Sequence, residues 1–187
     1  MRISLILCFS IAVSGCTKDR TVARDRTSPA SSVSATLSTG GGSSQIFTAM
    51  FEDPDGGSRI AEVTLSVMSN NVRPGAKSKW SANECLVRYD IADNAIWLVP
   101  NIGGTWGSHP IIAGSSTAFS NSQCTVLASG SSAHVTGNTV TVHVELKFTN
   151  AFAGVKQLYT SSKDVNGNWS ASQKQDGSFV AVAVKTP

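Results

Sequence analysis

From residue 45 onward, apolar side chains recur at every second position. The clearest stretch is Val140, Val142, Val144, Leu146 and Phe148, alternating with Thr139, Thr141, His143, Glu145 and Lys147. Successive side chains of an extended chain point to opposite faces, so all five apolar groups belong to one face of a sheet. Ala61, Val63, Leu65 and Val67 alternate in the same way with Glu62, Thr64 and Ser66, and shorter copies run through Cys85, Val87 and Tyr89 and through Cys124, Val126 and Ala128. Gly137-Asn138 lies between two such runs and reads as a hairpin turn. The pattern predicts strands near 45–51, 60–68, 84–90, 95–100, 123–128, 139–148, 155–161 and 178–184. No window of a dozen residues carries a helical stripe. About eight short strands separated by turn signals indicate an all-β antiparallel sandwich, with Trp97 as a candidate core aromatic.

The first residues follow a different pattern. Met1-Arg2 is a short positive start, and Ile3 to Val13 is an apolar run too short to cross a bilayer, with the length of a signal-peptide core. VSGC at 13–16 resembles the lipobox of bacterial lipoproteins. The resemblance implies a signal peptide over 1–15, cleavage before Cys16, a diacylglyceryl group on the Cys16 thiol and acylation of the new amine. Val13 stands where that family most often has leucine. Thr17 is not the aspartate that some bacteria use for inner-membrane retention, which favours the outer membrane. The expected location is therefore the cell envelope, lipid-anchored, with the membrane as a partner through the anchor. An ordinary secretory signal ahead of a chance cysteine is the alternative. Residues 16–44, the lipidated cysteine followed by a Ser/Gly/Thr-rich stretch, read as a flexible tether with a reach on the order of 30 Å, and residues 45–187 as the folded body.

The leader also changes the cysteine arithmetic. Of four cysteines, Cys8 lies in the discarded core and Cys16 would be lipidated. Cys85 and Cys124 are left in an oxidising compartment, where they are expected to form a disulfide. A metal or redox pair is the competing reading, but neither cysteine has a CxxC partner or a nearby histidine. Net charge is +3, yet five of the fifteen basic residues precede Thr27, and beyond it ten basic residues balance ten acidic ones. A neutral body lacks the clustered Lys and Arg that nucleic acid requires. Charged residues are only 14% of the chain, well below the roughly 25% usual for globular proteins, which argues against coiled coils and long-helix bundles.

FTAMFEDPDGGSRIAEVTLSV at 47–67, NECLVRYD at 83–90, NSQCTVL at 121–127, LKFTNAFAGVKQLY at 146–159 and the later Asp164…Gly167-Asn168-Trp169 follow in fixed order. Together they resemble an Ig-like module, without assigned function, that is repeated in large secreted proteins of environmental bacteria. The paired cysteines and the AFAG segment are the most specific parts. The resemblance implies an Ig-like sandwich and brings no catalytic residues with it.

If strand direction reverses at every crossing, loops 52–59, 91–94, 129–138 and 162–177 share one end, which carries Glu52, Asp53, Asp55, Asp93, Asp164 and Asp176 against Arg59, Lys163 and Lys174. Loops 69–83, 101–122 and 149–154 share the other with both termini, and carry Arg73, Lys77, Lys79, Trp80, Trp106 and His109. The tether then leaves from the basic end. DPDGG at 53–57 and DVNGN at 164–168 make Asp53, Asp55 and Asp164 calcium candidates, although the same residues favour plain turns. Trp106, between glycines in a long loop, and Trp80 are candidate ligand-binding residues, for a sugar ring or another apolar surface, or else lids on the core. His143 and Glu145 are two ligands short of a zinc site, and His109 and His134 are far off in sequence. No nucleophile elbow, phosphate loop or metalloprotease motif is present. The expected function is a non-catalytic binding or structural module without a cofactor, whose partner is a glycan or an envelope protein. A carbohydrate-binding module and a small hydrolase with a loop-built site are the alternatives.

Overall fold

The structure is a computed structural model that describes residues 31–38, 45–69, 84–170, 173–174 and 179–181. In chain order the strands are β1 (Ser31–Ser38), β2 (Gln45–Glu52), β3 (Ile60–Ser69), β4 (Cys85–Asp90), β5 (Ala95–Leu98), β6 (Ile111–Ile112), β7 (Ala118–Ser120), β8 (Cys124–Thr136), β9 (Thr139–Phe148), β10 (Gly154–Asp164), β11 (Gln173–Lys174) and β12 (Phe179–Ala181). One sheet has the order β1-β2-β9-β8-β7. The other runs β11-β10-β3-β4-β5-β6, with β12 also paired to β10. All pairings are antiparallel.

The two sheets meet through the alternating positions. Phe47, Ala49 and Phe51 of β2 and the five apolar residues of β9 pack against Val63, Leu65 and Val67 of β3, Val87 and Tyr89 of β4, and Ile96 and Leu98 of β5. Phe47 stands edge-on to Phe148, with ring centroids 6.1 Å apart. Cys85 on β4 and Cys124 on β8 form the expected disulfide with Cα atoms 5.8 Å apart, joining one sheet to the other inside the core. The fold is the all-β sandwich that the period of two implies.

Trp97 is not part of the core. It is half-buried on the outer face, between the inward-facing Ile96 and Leu98, and Tyr89, fully buried, is the large polar aromatic inside. Residues 31–38, placed in the tether by their composition, form β1 along the free edge of β2. Val33, Ala35 and Leu37 alternate with serine and threonine there, a period-two signal hidden by the surrounding serines. Residues 129–136, expected as a loop, continue β8 past a bulge between Leu127 and Ser132. The Ser131 hydroxyl donates to the Leu127 carbonyl and accepts the Glu145 N–H, bridging the broken ladder. Gly130 packs closely against Glu145 there, since an added Cβ would fall 2.9 Å from the Glu145 Cβ. The Gly137-Asn138 turn is where the sequence puts it.

Loops 53–59, 91–94, 137–138 and 165–168 share one end, as alternating strand direction requires. Asp53 N–H donates to the Asn138 carbonyl (2.9 Å), Gly57 N–H to Gly137 (2.9 Å) and Val165 N–H to Arg59 (2.8 Å). The point of chain entry is the reverse of the expectation. Ser31 pairs opposite Glu52, so the chain enters β1 from the acidic end, because β1 adds one crossing. Replacing both Cys85 and Cys124 by alanine is expected to cost about 4 kcal/mol, read in a calorimeter as a fall in Tm of roughly 10–15 °C.

Candidate functional site

The outer face of the second sheet carries a strip of polar and aromatic side chains on four neighbouring strands. Ser161, Thr64, Arg88 and Trp97 lie directly opposite one another across β10, β3, β4 and β5, and Lys163, Glu62 and Asp90 form the adjacent row. Register makes neighbours of these residues, and their chemistry joins them. Thr64 and Ser161 share a hydroxyl hydrogen bond of 2.6 Å. Lys163 Nζ lies 2.9 Å from Glu62 Oε1, and Arg88 Nη1 lies 3.7 Å from Glu62 Oε2. The Glu62 side chain is only 14% exposed, so its charge is better shielded from water than that of an ordinary surface pair.

Two indoles hold the Arg88 guanidinium. Its carbon lies 4.7 Å from the Trp97 ring centroid and 4.9 Å from that of Trp106. Trp106 reaches this face because its loop folds back on the end of β5, where Gly107 N–H donates to the Leu98 carbonyl at 3.2 Å. A Cβ on Gly107 would lie 3.1 Å from that same oxygen, so the close approach depends on glycine. At the other end of the strip Lys163 Nζ lies 5.7 Å from the Trp169 ring, which is 44% exposed. A planar, permanently charged guanidinium suits this stacking in a way an ammonium does not.

The acidic end is built differently. Asp164 is buried, and its Oδ1 accepts the N–H groups of Asn166 and Asn168 while Oδ2 accepts the Asn168 amide. Burial raises its pKa, but these hydrogen bonds and the positive charge of Arg59 outweigh burial and hold the carboxyl below the usual carboxylate range. Asp164 therefore closes its own turn. In the neighbouring turn, Asp53 Oδ1 accepts Asp55 N–H at 2.8 Å. Asp53, Asp55 and Asp164 do not converge as one metal-ligating set, and among the described residues no group of three or more His, Cys, Asp or Glu does. Behind this end, the Tyr89 hydroxyl donates to Asn94 Oδ1, and Asn94 Nδ2 donates to the Ala113 carbonyl at 3.2 Å. Burial pushes the Tyr89 phenol up to about 12.

Of the residues singled out in the sequence, Trp106 is brought into the strip, half-buried. Trp80 and Cys16 lie outside the described residues. His143 Nδ1 is 2.8 Å from the Thr48 hydroxyl on the first sheet, far from the strip. Sequence reasoning missed Arg88, Trp97, Glu62, Lys163 and Trp169 as a group. Arg88 and Glu62 occupy ordinary polar positions of alternating strands, and only the cross-strand register assembles them. Compared with protein-family models, curated proteins and solved structures, the chain gave no match.

Arg88→Ala is expected to lower stability by about 1–2 kcal/mol and to change the tryptophan emission spectrum, with Arg88→Lys recovering only part of either. Because the Asp164 pKa is depressed on folding, its stabilising contribution is complete above the ordinary carboxylate pKa and is lost as pH falls through the depressed value. Urea unfolding of wild type and Asp164→Asn across pH ~5 to ~2 should therefore show a stability gap that closes on acidification.

Proposed function

We propose that the protein is a non-catalytic, lipid-anchored protein of the bacterial cell envelope whose Ig-like sandwich serves as a binding module, with the Arg88–Trp97–Trp106 strip as its contact surface. The lipobox at 13–16 supports the anchor. The observation that carries the binding reading is the pair of indoles ordered around one guanidinium on a sheet face. Arg88 and Trp97 sit on strands, which hold contact residues more rigidly than loops do, and aromatic and arginine side chains dominate recognition surfaces.

A carbohydrate ligand is the reading this surface favours among envelope partners. Indole faces stack on sugar rings, and Glu62, Lys163 and Asp90 beside them offer acceptors and donors for hydroxyl groups. Beside Trp106 stands Trp97, which its apolar run assigns to the core.

Two measurements test the reading. Alkyne-palmitate labelling and detergent partition should place the wild type in the lipid phase and Cys16→Ser in the aqueous phase; an unlabelled wild type removes the anchor. On a glycan array with immobilised peptidoglycan and lipopolysaccharide, saturable binding that falls at least ~10-fold in Trp97→Ala and in Arg88→Ala supports the strip. Binding indifferent to both substitutions, or none to any of these polymers, refutes it as a carbohydrate surface.

A further inference from the structure

The DPDGG turn between β2 and β3 contains two carboxylate oxygens that no donor reaches. Asp53 is 1% exposed. Its Oδ1 accepts the Asp55 N–H, while its Oδ2 is buried and meets no hydrogen-bond donor. Asp55 Oδ2, two residues along, is buried and without a donor as well. Asp164, at the same end of the sandwich, has three donors on its two oxygens. Buried carboxylates are normally paired or hydrogen-bonded, because an ionised oxygen removed from water without a partner carries a large desolvation penalty. Two such oxygens occur within three residues of one another along the chain.

The turn is also held firmly in place. The N–H groups of Asp53 and Gly57 are tied to the carbonyls of Asn138 and Gly137. Gly57 lies so close to β9 that a Cβ would come within 2.8 Å of the Thr139 carbonyl oxygen. The carboxylates thus cannot readily swing out to water by moving the backbone. The basic residue of this segment, Arg59, acts on Asp164.

We infer that the DPDGG turn is a calcium site, with Asp53 Oδ2 and Asp55 Oδ2 as the anionic ligands. The donor set is all oxygen, which selects a hard cation over zinc or copper. The carbonyls of Gly137 and Asn138, hydrogen-bonded to the same turn, each have a second lone pair, and water completes the six to eight oxygens calcium takes. Two carboxylates place the affinity in the weak range of extracellular modules, about 10⁻⁴–10⁻³ M. Asp164, the third acidic candidate, is not assigned as a ligand, because both of its oxygens already accept hydrogen bonds within its own turn.

The test is a calcium titration of the purified full chain to ~10 mM, followed by thermal melting and by isothermal titration calorimetry. The wild type should show saturable binding and a Tm rise of roughly 3–6 °C. Asp164→Asn should keep that rise and Asp55→Asn should lose it. A wild-type Tm and heat signal indifferent to calcium, or an equal rise in Asp55→Asn, overturns the site. Asp55→Asn is the decisive variant because Asp55 is only partly buried, and the wild-type titration stands on its own if Asp53→Asn fails to fold.

Discussion

Neither sheet can exist alone, because each has one face that water will not tolerate. Phe47, Phe51 and the five apolar residues of β9 on one side, and Val63, Leu65, Val87 and Ile96 on the other, are removed from solvent only when the layers close on each other. At about 25 cal/mol per Å² of apolar surface, that closure is the dominant favourable term in the fold. The disulfide does not replace it. Cys85 and Cys124 sit within the same apolar layer, so the covalent link restricts the unfolded chain while burial holds the folded one.

Closure of the inner faces leaves the outer ones to other chemistry. On β10 the division is unusual, since Thr160, Ser162 and Asp164 occupy inward positions and are buried. The backbone of the same strand pairs beyond it: Ser162 N–H donates to the Ser170 hydroxyl, and Ser170 N–H donates back to the Ser162 carbonyl. The segment after β10 is thereby drawn alongside it, which brings Trp169 next to Lys163. The position of one end of the aromatic strip therefore follows from the backbone pairing of residues 169–170 with β10.

The sandwich was legible because its physics is periodic. Alternation over β9 and β3 carries enough repeats to fix both strand and face, and the two remaining cysteines have one partner each. Features that depend on a single contact were not legible. The bulge at 128–131 rests on one serine hydroxyl and one missing Cβ, and a Gly-Ser-Ser sequence reads as a turn without them. Trp97 went to the wrong face because a run of apolar residues, AIWL, hides its phase. Register settles that phase by setting Trp97 opposite Arg88. The acidic end was located correctly from strand direction, but the different state of its carboxylates was not, since Asp164 and Asp53 stand in similar turn motifs and differ only in which N–H groups reach them.

The short strand β1 has a geometric effect larger than its size. An extended chain spans at most about 3.5 Å per residue, so an attachment at Cys16 could lie at most ~100 Å from Gln45, but only ~50 Å from Ser31. Once β1 is docked, about half of that leash is reeled in. Its parity matters as much as its length: one added crossing moves the point of tethering from one pole of the body to the other. A membrane anchored through Cys16 would then be closest to Glu52 and the carboxylates beside it, with the disulfide at the far pole. For a chain anchored through Cys16, this edge strand, paired to β2, would set which pole of the body lies nearer the membrane.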